Sequence, residues 1–273
     1  MVIRPADHGI FASSAGGVTG AGYFCGGYVT ATRVDTVDKF AFSDDSRSTL
    51  GTGLSDDTNY GAAMANSGTA GYVALGDDLS SPYVDTVNKF AFSDDSRSTL
   101  GTGLSTARAV AAGMANSGTA GYICGGQNFT APSTYVWGQT VDKFAFSDDS
   151  RTTRASGVST ARQYAGPSAM ANSGTAGYYG GGRLGSRVTT IDKWAFSDDS
   201  RSTLGTGLSA ATSHLAAMAA SGTAGYFGGG YVISTLQTTV NKFAFSDDSR
   251  STLGTGLSAA TVSLSAMADG NIA

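Results

Sequence analysis

The sequence contains no glutamate, only five lysines and only two histidines in 273 residues. Charged residues make up 14% of the chain, well below the average for soluble proteins, and side chains that favour exposed helices are scarce. Proline occurs four times, whereas glycine occurs 39 times and aromatic residues make up 10%. Many glycines, few helix formers and enough apolar residues for a core are typical of an all-β protein with many tight turns.

The shortage of basic residues excludes several classes of partner. The formal net charge is −4 and the pI is about 5.0, so the chain lacks the positive surface that nucleic-acid binding requires. No apolar run is long enough for a membrane span, and residues 1–14 lack the charged-then-apolar order of a signal peptide. We therefore expect a soluble protein with no nucleic-acid partner, no membrane insertion and no signal peptide.

Five copies of one sequence unit fill the chain. The block Phe-Ala-Phe-Ser-Asp-Asp-Ser-Arg begins at Phe40 and recurs at spacings of 50, 54, 50 and 49 residues, with Trp194 replacing its first residue in the fourth copy. A second block, Ala-Gly-Tyr, precedes it in every unit. Its tyrosines are Tyr23, Tyr72, Tyr122, Tyr178 and Tyr226.

Each unit predicts four short strands. In the fifth unit the first strand contains residues 216–219, the second begins at Ala224, the third contains residues 240–245 and the fourth ends at Leu257. Asn-Ser-Gly and Ser-Asp-Asp-Ser between these strands have the composition of tight turns. No segment has a helical period, so the sequence predicts four-stranded antiparallel units arranged radially, as the blades of a β-propeller.

The unit resembles the kelch repeat of β-propellers. The resemblance covers nearly the whole chain and includes a small-residue strand, the Gly-Tyr-x-x-Gly-Gly sequence of residues 225–230, a variable loop and a hydrophobic strand. Leu50 stands where a kelch repeat has tryptophan, and residues 43–50 resemble a degenerate Asp box. The repeats are also similar to propeller repeats of phage structural proteins and surface adhesins. These resemblances imply propeller blades but no particular function.

Methionine positions predict how the ring closes. Four methionines lie eight residues before a repeated tyrosine, at Met64, Met114, Met170 and Met218. The first unit has Ala15 there, and the best fifth copy is Met267. The sequence thus predicts a five-bladed β-propeller closed by the C-terminal strand, which would pair beside the strand of Tyr23. Residues 1–18 would form an N-terminal arm or an extra edge strand, and residues 19–273 a single propeller domain.

Cysteine occurs only at Cys25 and Cys124, which is too few for a disulfide framework. Both follow a repeated tyrosine by two residues, where the other units have alanine or glycine. They belong to the first and third units, which are not neighbours, so a disulfide is geometrically unfavourable. We expect two buried free thiols.

Candidate catalytic and metal-ligating residues are few. His8 and His214 lie in unrelated parts of the unit, and no glutamate is present to act as an acid, so the sequence predicts no catalytic residues and no cofactor. The repeated aspartate pairs, such as Asp44–Asp45, could bind Ca²⁺. The alternative that we favour is a capped turn in which Arg47 neutralises one aspartate, with no metal ion, and with Lys39 and its equivalents exposed to solvent.

Variation among the units is confined to one predicted face. In an antiparallel blade the turns after the first and third strands share one side, and these turns are nearly constant. The loop after the second strand and the connection between blades share the other side, and both differ in every unit. Large aromatic side chains and one histidine collect there as candidate binding residues: Tyr28, Tyr60, Tyr83, Phe129, Tyr135, Trp137, Tyr164, His214 and Tyr231.

The leading hypothesis is a non-enzymatic binding or assembly module that docks a protein or a glycan through its variable face. Attachment to a virion or a cell surface, and a homo-oligomer or larger assembly, are compatible with it. The alternative is a five-bladed lectin with sugar sites between blades, which would be expected to repeat one polar and aromatic set, unlike this chain. A propeller hydrolase or lyase is a third hypothesis. The variable loops could also simply tolerate insertions.

Overall fold

The computed structural model describes residues 9–12, 20–30, 32–77, 83–130, 134–162, 168–263 and 266. These residues contain no helix, and their longer strands form five four-stranded antiparallel sheets. The predicted all-β class and the predicted four-stranded units are confirmed. In the described part of the chain, no helix has the length and hydropathy needed to cross a membrane.

The strands follow the sequence units. The first unit contains β1 (Gly9–Ala12), β2 (Ala21–Cys25), β3 (Tyr28–Val29), β4 (Thr32–Arg33), β5 (Val37–Ala41) and β6 (Arg47–Thr49). The second contains β7 (Ala62–Asn66), β8 (Ala70–Ala74), β9 (Val87–Ala91) and β10 (Arg97–Thr99). The third contains β11 (Arg108–Ala109), β12 (Ala112–Asn116), β13 (Ala120–Cys124), β14 (Gln127–Thr130), β15 (Thr134–Trp137), β16 (Val141–Ala145) and β17 (Arg151–Thr153). The fourth contains β18 (Ala169–Asn172), β19 (Ala176–Gly180), β20 (Arg183–Leu184), β21 (Ser186–Arg187), β22 (Ile191–Ala195) and β23 (Arg201–Thr203). The fifth contains β24 (Ala216–Ala220), β25 (Ala224–Gly228), β26 (Tyr231–Val232), β27 (Thr235–Leu236), β28 (Val240–Ala244) and β29 (Arg250–Thr252).

Each sheet has a simple up-and-down order with a repeated register. The first sheet runs β1-β2-β5-β6 and the fifth runs β24-β25-β28-β29. In the fifth sheet Met218 lies opposite Tyr226, which lies opposite Lys242. Directly opposite residues project from the same side of an antiparallel sheet. The register therefore places methionine, tyrosine and lysine next to one another on one side of the second to fifth sheets.

The first strands of consecutive sheets lie side by side. β7 lies between β1 and β12, and β18 lies between β12 and β24. Sheets arranged in this way around their first strands are compatible with a propeller-like fold.

The edge of β2 is occupied by the N-terminal strand. Gly9 lies opposite Cys25 and Phe11 opposite Tyr23, while β5 pairs along the other edge of β2. The prediction that the C-terminal strand pairs beside the strand of Tyr23 is therefore wrong. Eight residues separate β1 from β2, whereas three separate β7 from β8. Counting eight residues back from Tyr23 therefore gave Ala15, which is not in the strand that pairs with β2. Met267 lies outside the described residues, and the division at residue 18 stays a prediction.

The fourth strand is shorter than predicted. β29 ends at Thr252, after which the Leu253 amide still bonds the Val240 carbonyl at 2.9 Å. The chain then turns away, and the Leu257 amide bonds the Thr238 carbonyl at 2.7 Å. The residues that follow each fourth strand therefore run back along the loop before the third strand instead of extending the sheet.

The hydrophobic core lies between the sheets. Four clusters of buried side chains each combine residues of two consecutive sheets. The cluster between the third and fourth sheets contains Met114, Tyr122 and Trp194, and Trp194 is 0% exposed, as predicted. Cys25 and Cys124 are buried and unpaired, which confirms the prediction, and burial raises the pKa of both thiols.

Candidate binding surface

The constant residues of the unit hold consecutive sheets together. Tyr72 Oη donates a hydrogen bond of 2.7 Å to Asp149 Oδ1, and Lys89 Nζ binds Asp149 Oδ2 at 2.6 Å. The Phe146 ring stacks on the Tyr72 ring with centroids 5.2 Å apart. We call this contact, from one sheet to the aspartate turn of the next, a junction. The four junctions join Tyr23 to Asp95, Tyr72 to Asp149, Tyr122 to Asp199 and Tyr178 to Asp248.

Methionine and glycine complete the junctions. The Met64 side chain fills the space beside Gly121, so that a Cβ atom on Gly121 would collide with the Met64 sulfur. Met170 occupies the same position against Gly225. The glycines before Tyr122, Tyr178 and Tyr226 therefore leave the volume that the methionine of the preceding sheet occupies.

The two aspartates of each turn have different roles. Asp44 Oδ1 accepts a hydrogen bond of 3.0 Å from the Ser46 amide, and the bonds from Ser46 lower the pKa of Asp44. The same cap occurs in all five turns. The second aspartate adopts a left-handed backbone, with φ of 58° at Asp95, and in the second to fifth sheets it binds the preceding sheet. The predicted capped turn is confirmed.

The cation that neutralises the turn is not the one predicted. Lys39 Nζ binds Asp95 at 2.6 Å, so this lysine joins two sheets and is not simply exposed to solvent. Arg47 instead binds Asp38 of its own sheet at 3.0 Å. The prediction paired neighbours in sequence, whereas the ion pair forms between units that are adjacent in space. Among the described residues, no three histidine, cysteine or acidic side chains come together as a metal site.

Burial in the junction perturbs the tyrosines. Burial of the Tyr72 hydroxyl raises its pKa, and the hydrogen bond to the Asp149 carboxylate raises the pKa further. The same causes act on Tyr23, Tyr122 and Tyr178. These phenols therefore remain protonated donors throughout the neutral pH range.

The two classes of variable segment form one hydrogen-bonded layer. The described parts of residues 28–36, 77–86, 127–140, 183–190 and 231–239 and of the connections 56–61, 106–110, 160–168 and 209–214 are called the variable layer. In the first two units, Thr58 pairs with Val34 and the adjacent Asn59 pairs with Asp77. In the third unit, β11 pairs with β14. The connection between sheets therefore pairs with the loops on either side of it.

One aromatic cluster stands out in the variable layer. The Tyr135 ring lies 5.2 Å from the Phe129 ring and 6.3 Å from the Tyr83 ring, measured between centroids. Phe129 and Tyr135 are directly opposed in the β14–β15 hairpin, which fixes their spacing. Tyr135 is 57% exposed, whereas Trp137 at the base of the hairpin is half-buried. We call Tyr83, Phe129 and Tyr135 the aromatic cluster.

A second group surrounds His214. His214 Nδ1 lies 3.0 Å from the buried Ser213 Oγ, and the imidazole packs edge-on against Tyr231 at 6.1 Å. Arg187 Nε donates to Ser213 Oγ at 3.0 Å, and its guanidinium lies 5.5 Å from the Tyr231 ring centre. Burial, together with the charges of Arg187 and Arg183, lowers the pKa of His214 to about 4. The imidazole is therefore neutral at pH 7.

The remaining predicted residues are scattered. Tyr28 is 41% exposed in β3, and Tyr60 lies in the first connection with a φ of 56°. Tyr164 lies outside the described residues. The structure thus brings together three of the nine predicted residues in one cluster and two in another.

Sequence reasoning missed the arginines of this side of the molecule. Arg33 binds Asp77 at 2.6 Å across the first connection. Two ion pairs, Arg108–Asp142 and Arg162–Asp192, are completely buried beneath later connections. A comparison of the units could have found these pairs. Where the connection has an arginine, the third strand of the next sheet has an aspartate. Where the connection has Thr58 or Thr212 instead, that strand has Asn88 or Asn241.

No protein-family model matches this chain, and no curated protein sequence matches it. The geometry of the described residues is therefore the basis for the functional proposal.

Proposed function

We propose that the chain is a non-enzymatic binding or assembly module of the kelch-like propeller type, and that its variable layer docks a protein or a glycan. One observation carries the proposal. The constant residues of the unit are engaged in the junctions, whereas an aromatic cluster with Tyr135 exposed and Tyr83 and Phe129 half-buried stands in the layer that differs between units. Constant junctions and a diverse layer are what a scaffold that presents a specific surface requires.

The aromatic cluster is suited to a central contact. Its three rings are held by mutual packing and by the hairpin pairing, so a partner would bury them with little loss of side-chain freedom. Tyr135 and the adjacent Val136 are 57% and 45% exposed, which provides apolar area beside a phenol hydroxyl. Exposed tyrosines in such a setting are common hot spots of protein and glycan recognition.

The resemblance of the unit to kelch repeats and to repeats of phage structural proteins and surface adhesins supports a place in a virion or on a cell surface. The five sheets would be the five blades. Closure of a five-bladed ring within one chain stays a prediction. A non-enzymatic role is favoured because His214, with a pKa of about 4, is a weak base at neutral pH.

A lectin is the second candidate because of a hollow between the fourth and fifth sheets. It is shallow and partly open to solvent, and it is lined by polar side chains such as Ser209 and Gln237 beside Leu208. A sugar site between blades would have this mixture of hydroxyl, amide and apolar groups.

The test compares two tyrosines of the variable layer. Tyr135→Ala removes the centre of the aromatic cluster, and Tyr28→Ala is the matched control, since Tyr28 is exposed in the same layer but outside the cluster. Each protein is applied to a glycan array and is used to retain binding partners from the source cells or virions, with quantitative mass spectrometry. Tyr135→Ala should reduce retention of one ligand roughly thirtyfold, which corresponds to about 2 kcal/mol, and Tyr28→Ala should change it little.

The outcomes separate the candidates. Retention of a protein that depends on Tyr135 supports docking, whereas array binding that survives Tyr135→Ala and is lost in Gln237→Ala favours the lectin. A ligand bound equally well by all three variants would contradict both assignments.

A further inference from the structure

The first and fifth sheets carry the two halves of a fifth junction. The fifth sheet and the segment after it present the residues that bind a following sheet elsewhere, and the first sheet presents the residues that bind a preceding sheet. We call the first set the tail face: Met218, Tyr226, Lys242, Leu253 and Ser258. We call the second set the head face: Gly22, Asp38, Phe42 and Asp45.

Both faces are more exposed than the corresponding residues of the internal junctions. Met218 is 38% exposed, whereas Met64, Met114 and Met170 are 3–4% exposed in their junctions. Phe42 is also 38% exposed, whereas its equivalents Phe146 and Phe196 are 9% and 8% exposed and Phe92 and Phe245 are half-buried. Each face thus leaves a large apolar side chain more exposed than its equivalents in the internal junctions.

The polar groups of the two faces are unpaired in the same pattern. Among the described residues no carboxylate binds Lys242 Nζ, which lies 6.0 Å from the Tyr226 ring centre, and the Tyr226 hydroxyl has no hydrogen-bond partner. The Asp45 carboxylate likewise has none in the described part of the chain. A cation and a phenol donor on the tail face therefore match a carboxylate on the head face.

A backbone donor adds a further match. In the first junction the Ser55 amide donates to Asn88 Oδ1 at 2.7 Å, and equivalent bonds form at the other three. Ser258 holds the same position after the fifth sheet and is exposed. Its counterpart on the head face is Asp38, whose side chain is 31% exposed and whose charge is already balanced by Arg47.

A substitution on the tail face points to the head face as its partner. Asn66, Asn116 and Asn172 each bond the glycine amide in the first turn of the following sheet. The fifth unit has Ala220 at this position. The sequence of the first unit has no Ser-Gly pair before β2, which is the pair that provides this glycine amide in the other four units. The tail face therefore lacks the asparagine for which the head face has no Ser-Gly partner.

We propose that a second copy of this chain docks its head face on the tail face of the first copy. Met218 would pack at Gly22, the Phe42 ring would stack on Tyr226, and Asp45 would accept bonds from Tyr226 and Lys242. This contact is heterologous, so each complex retains one free head face and one free tail face and can grow by addition of further copies. The surface is separate from the variable layer, and the inference does not depend on the docking role of that layer. It is the alternative to closure of a five-bladed ring within one chain.

The experiment uses variants that block one face each. The tail-blocked protein carries Met218→Asp and Lys242→Asp. The head-blocked protein carries Phe42→Asp and Asp45→Asn, where asparagine tolerates the φ of 55°. Asp56→Asn, an exposed site on neither face, is the control. Sedimentation velocity of the full chain is measured from low to high micromolar concentration, and melting temperatures establish that each variant is folded.

We expect the wild type and the control to associate with increasing concentration. Each blocked variant alone should remain monomeric, and an equimolar mixture should form a complex of two chains that does not grow further. As a measurement without variants, amide exchange in β24 and β25 of the wild type should slow as the concentration rises. A wild type that is monomeric at every concentration, as a ring closed within one chain would be, overturns the proposal. Association that the blocked variants leave unchanged also overturns it.

Discussion

Replacement of Asp199 by asparagine removes one charge from the junction between the third and fourth sheets and keeps the shape of the turn. Asp199 accepts bonds from Tyr122 Oη at 2.6 Å and from Lys143 Nζ at 2.7 Å, and it forms an ion pair with Arg154 Nη1 at 3.3 Å. Its φ of 58° is one that asparagine adopts readily, so backbone strain does not contribute. The Asp199→Asn substitution is not expected to alter the cap of the turn, since Asp198 provides that bond.

The magnitude follows from the bonds that change. A hydrogen bond to a charged group contributes about 1.5–3 kcal/mol, and a neutral bond contributes about 1 kcal/mol. The asparagine oxygen can still accept from Tyr122, whereas Lys143 and Arg154, whose side chains are 21% and 29% exposed, can turn to water. We therefore expect the free energy of unfolding to fall by about 2 kcal/mol.

The chain provides its own control. Asp45→Asn makes the same change in the equivalent turn of the first sheet, where the backbone has nearly the same φ. Asp45, however, has no partner among the described residues. Urea unfolding, followed at low protein concentration by circular dichroism and tryptophan fluorescence, should show a change within about 0.5 kcal/mol for Asp45→Asn. Equal losses in the two variants would refute the conclusion that the junction stabilises the fold.

Three further predictions concern other parts of the molecule. Trp194→Ala should cost roughly 3–5 kcal/mol in urea unfolding because it empties a core position, whereas Trp137→Ala should leave stability nearly unchanged and weaken partner binding. The folded pKa of His214, about 4, lies below its ordinary 6.5, so the unfolded chain binds the proton first as the pH falls. The melting temperature should therefore fall between pH 6.5 and pH 4 and be insensitive to this group above pH 6.5, and His214→Asn should remove the dependence. Removal of residues 1–12 deletes β1 and exposes the edge of β2, so light scattering should detect aggregation, whereas removal of residues 1–8 should be tolerated.

The strands could be predicted from the sequence because their signals are local. The Ala-Gly-Tyr block became the second strand of every sheet, and Asn-Ser-Gly became the turn before it wherever that sequence occurs. Glycine and aspartate set the turns through their own backbone preferences, which depend on few neighbours. Trp194 was correctly placed in the core because it replaces a phenylalanine of a repeated apolar strand.

The first sheet could not be predicted in the same way. Its first strand has diverged from the other units, and the segment before β2 differs in length, so no local signal fixed the register of Phe11 opposite Tyr23. Only pairing along the free edge of β2 selects these residues. The candidate site was limited similarly, because ring contacts between Tyr83 and Tyr135 depend on where two loops of different units meet.

By itself the sequence determined the all-β class, the five units, their four strands and the capped aspartate turns, because each of these depends on residues within a few positions of one another. The tertiary structure decided which unit each constant side chain serves. Lys39 and Arg47 lie close in sequence, yet Lys39 binds Asp95 of the next sheet and Arg47 binds Asp38 of its own. Near-identical repeats offer the same partners many times over, and only the packing of one sheet on the next brings one of them within bonding distance.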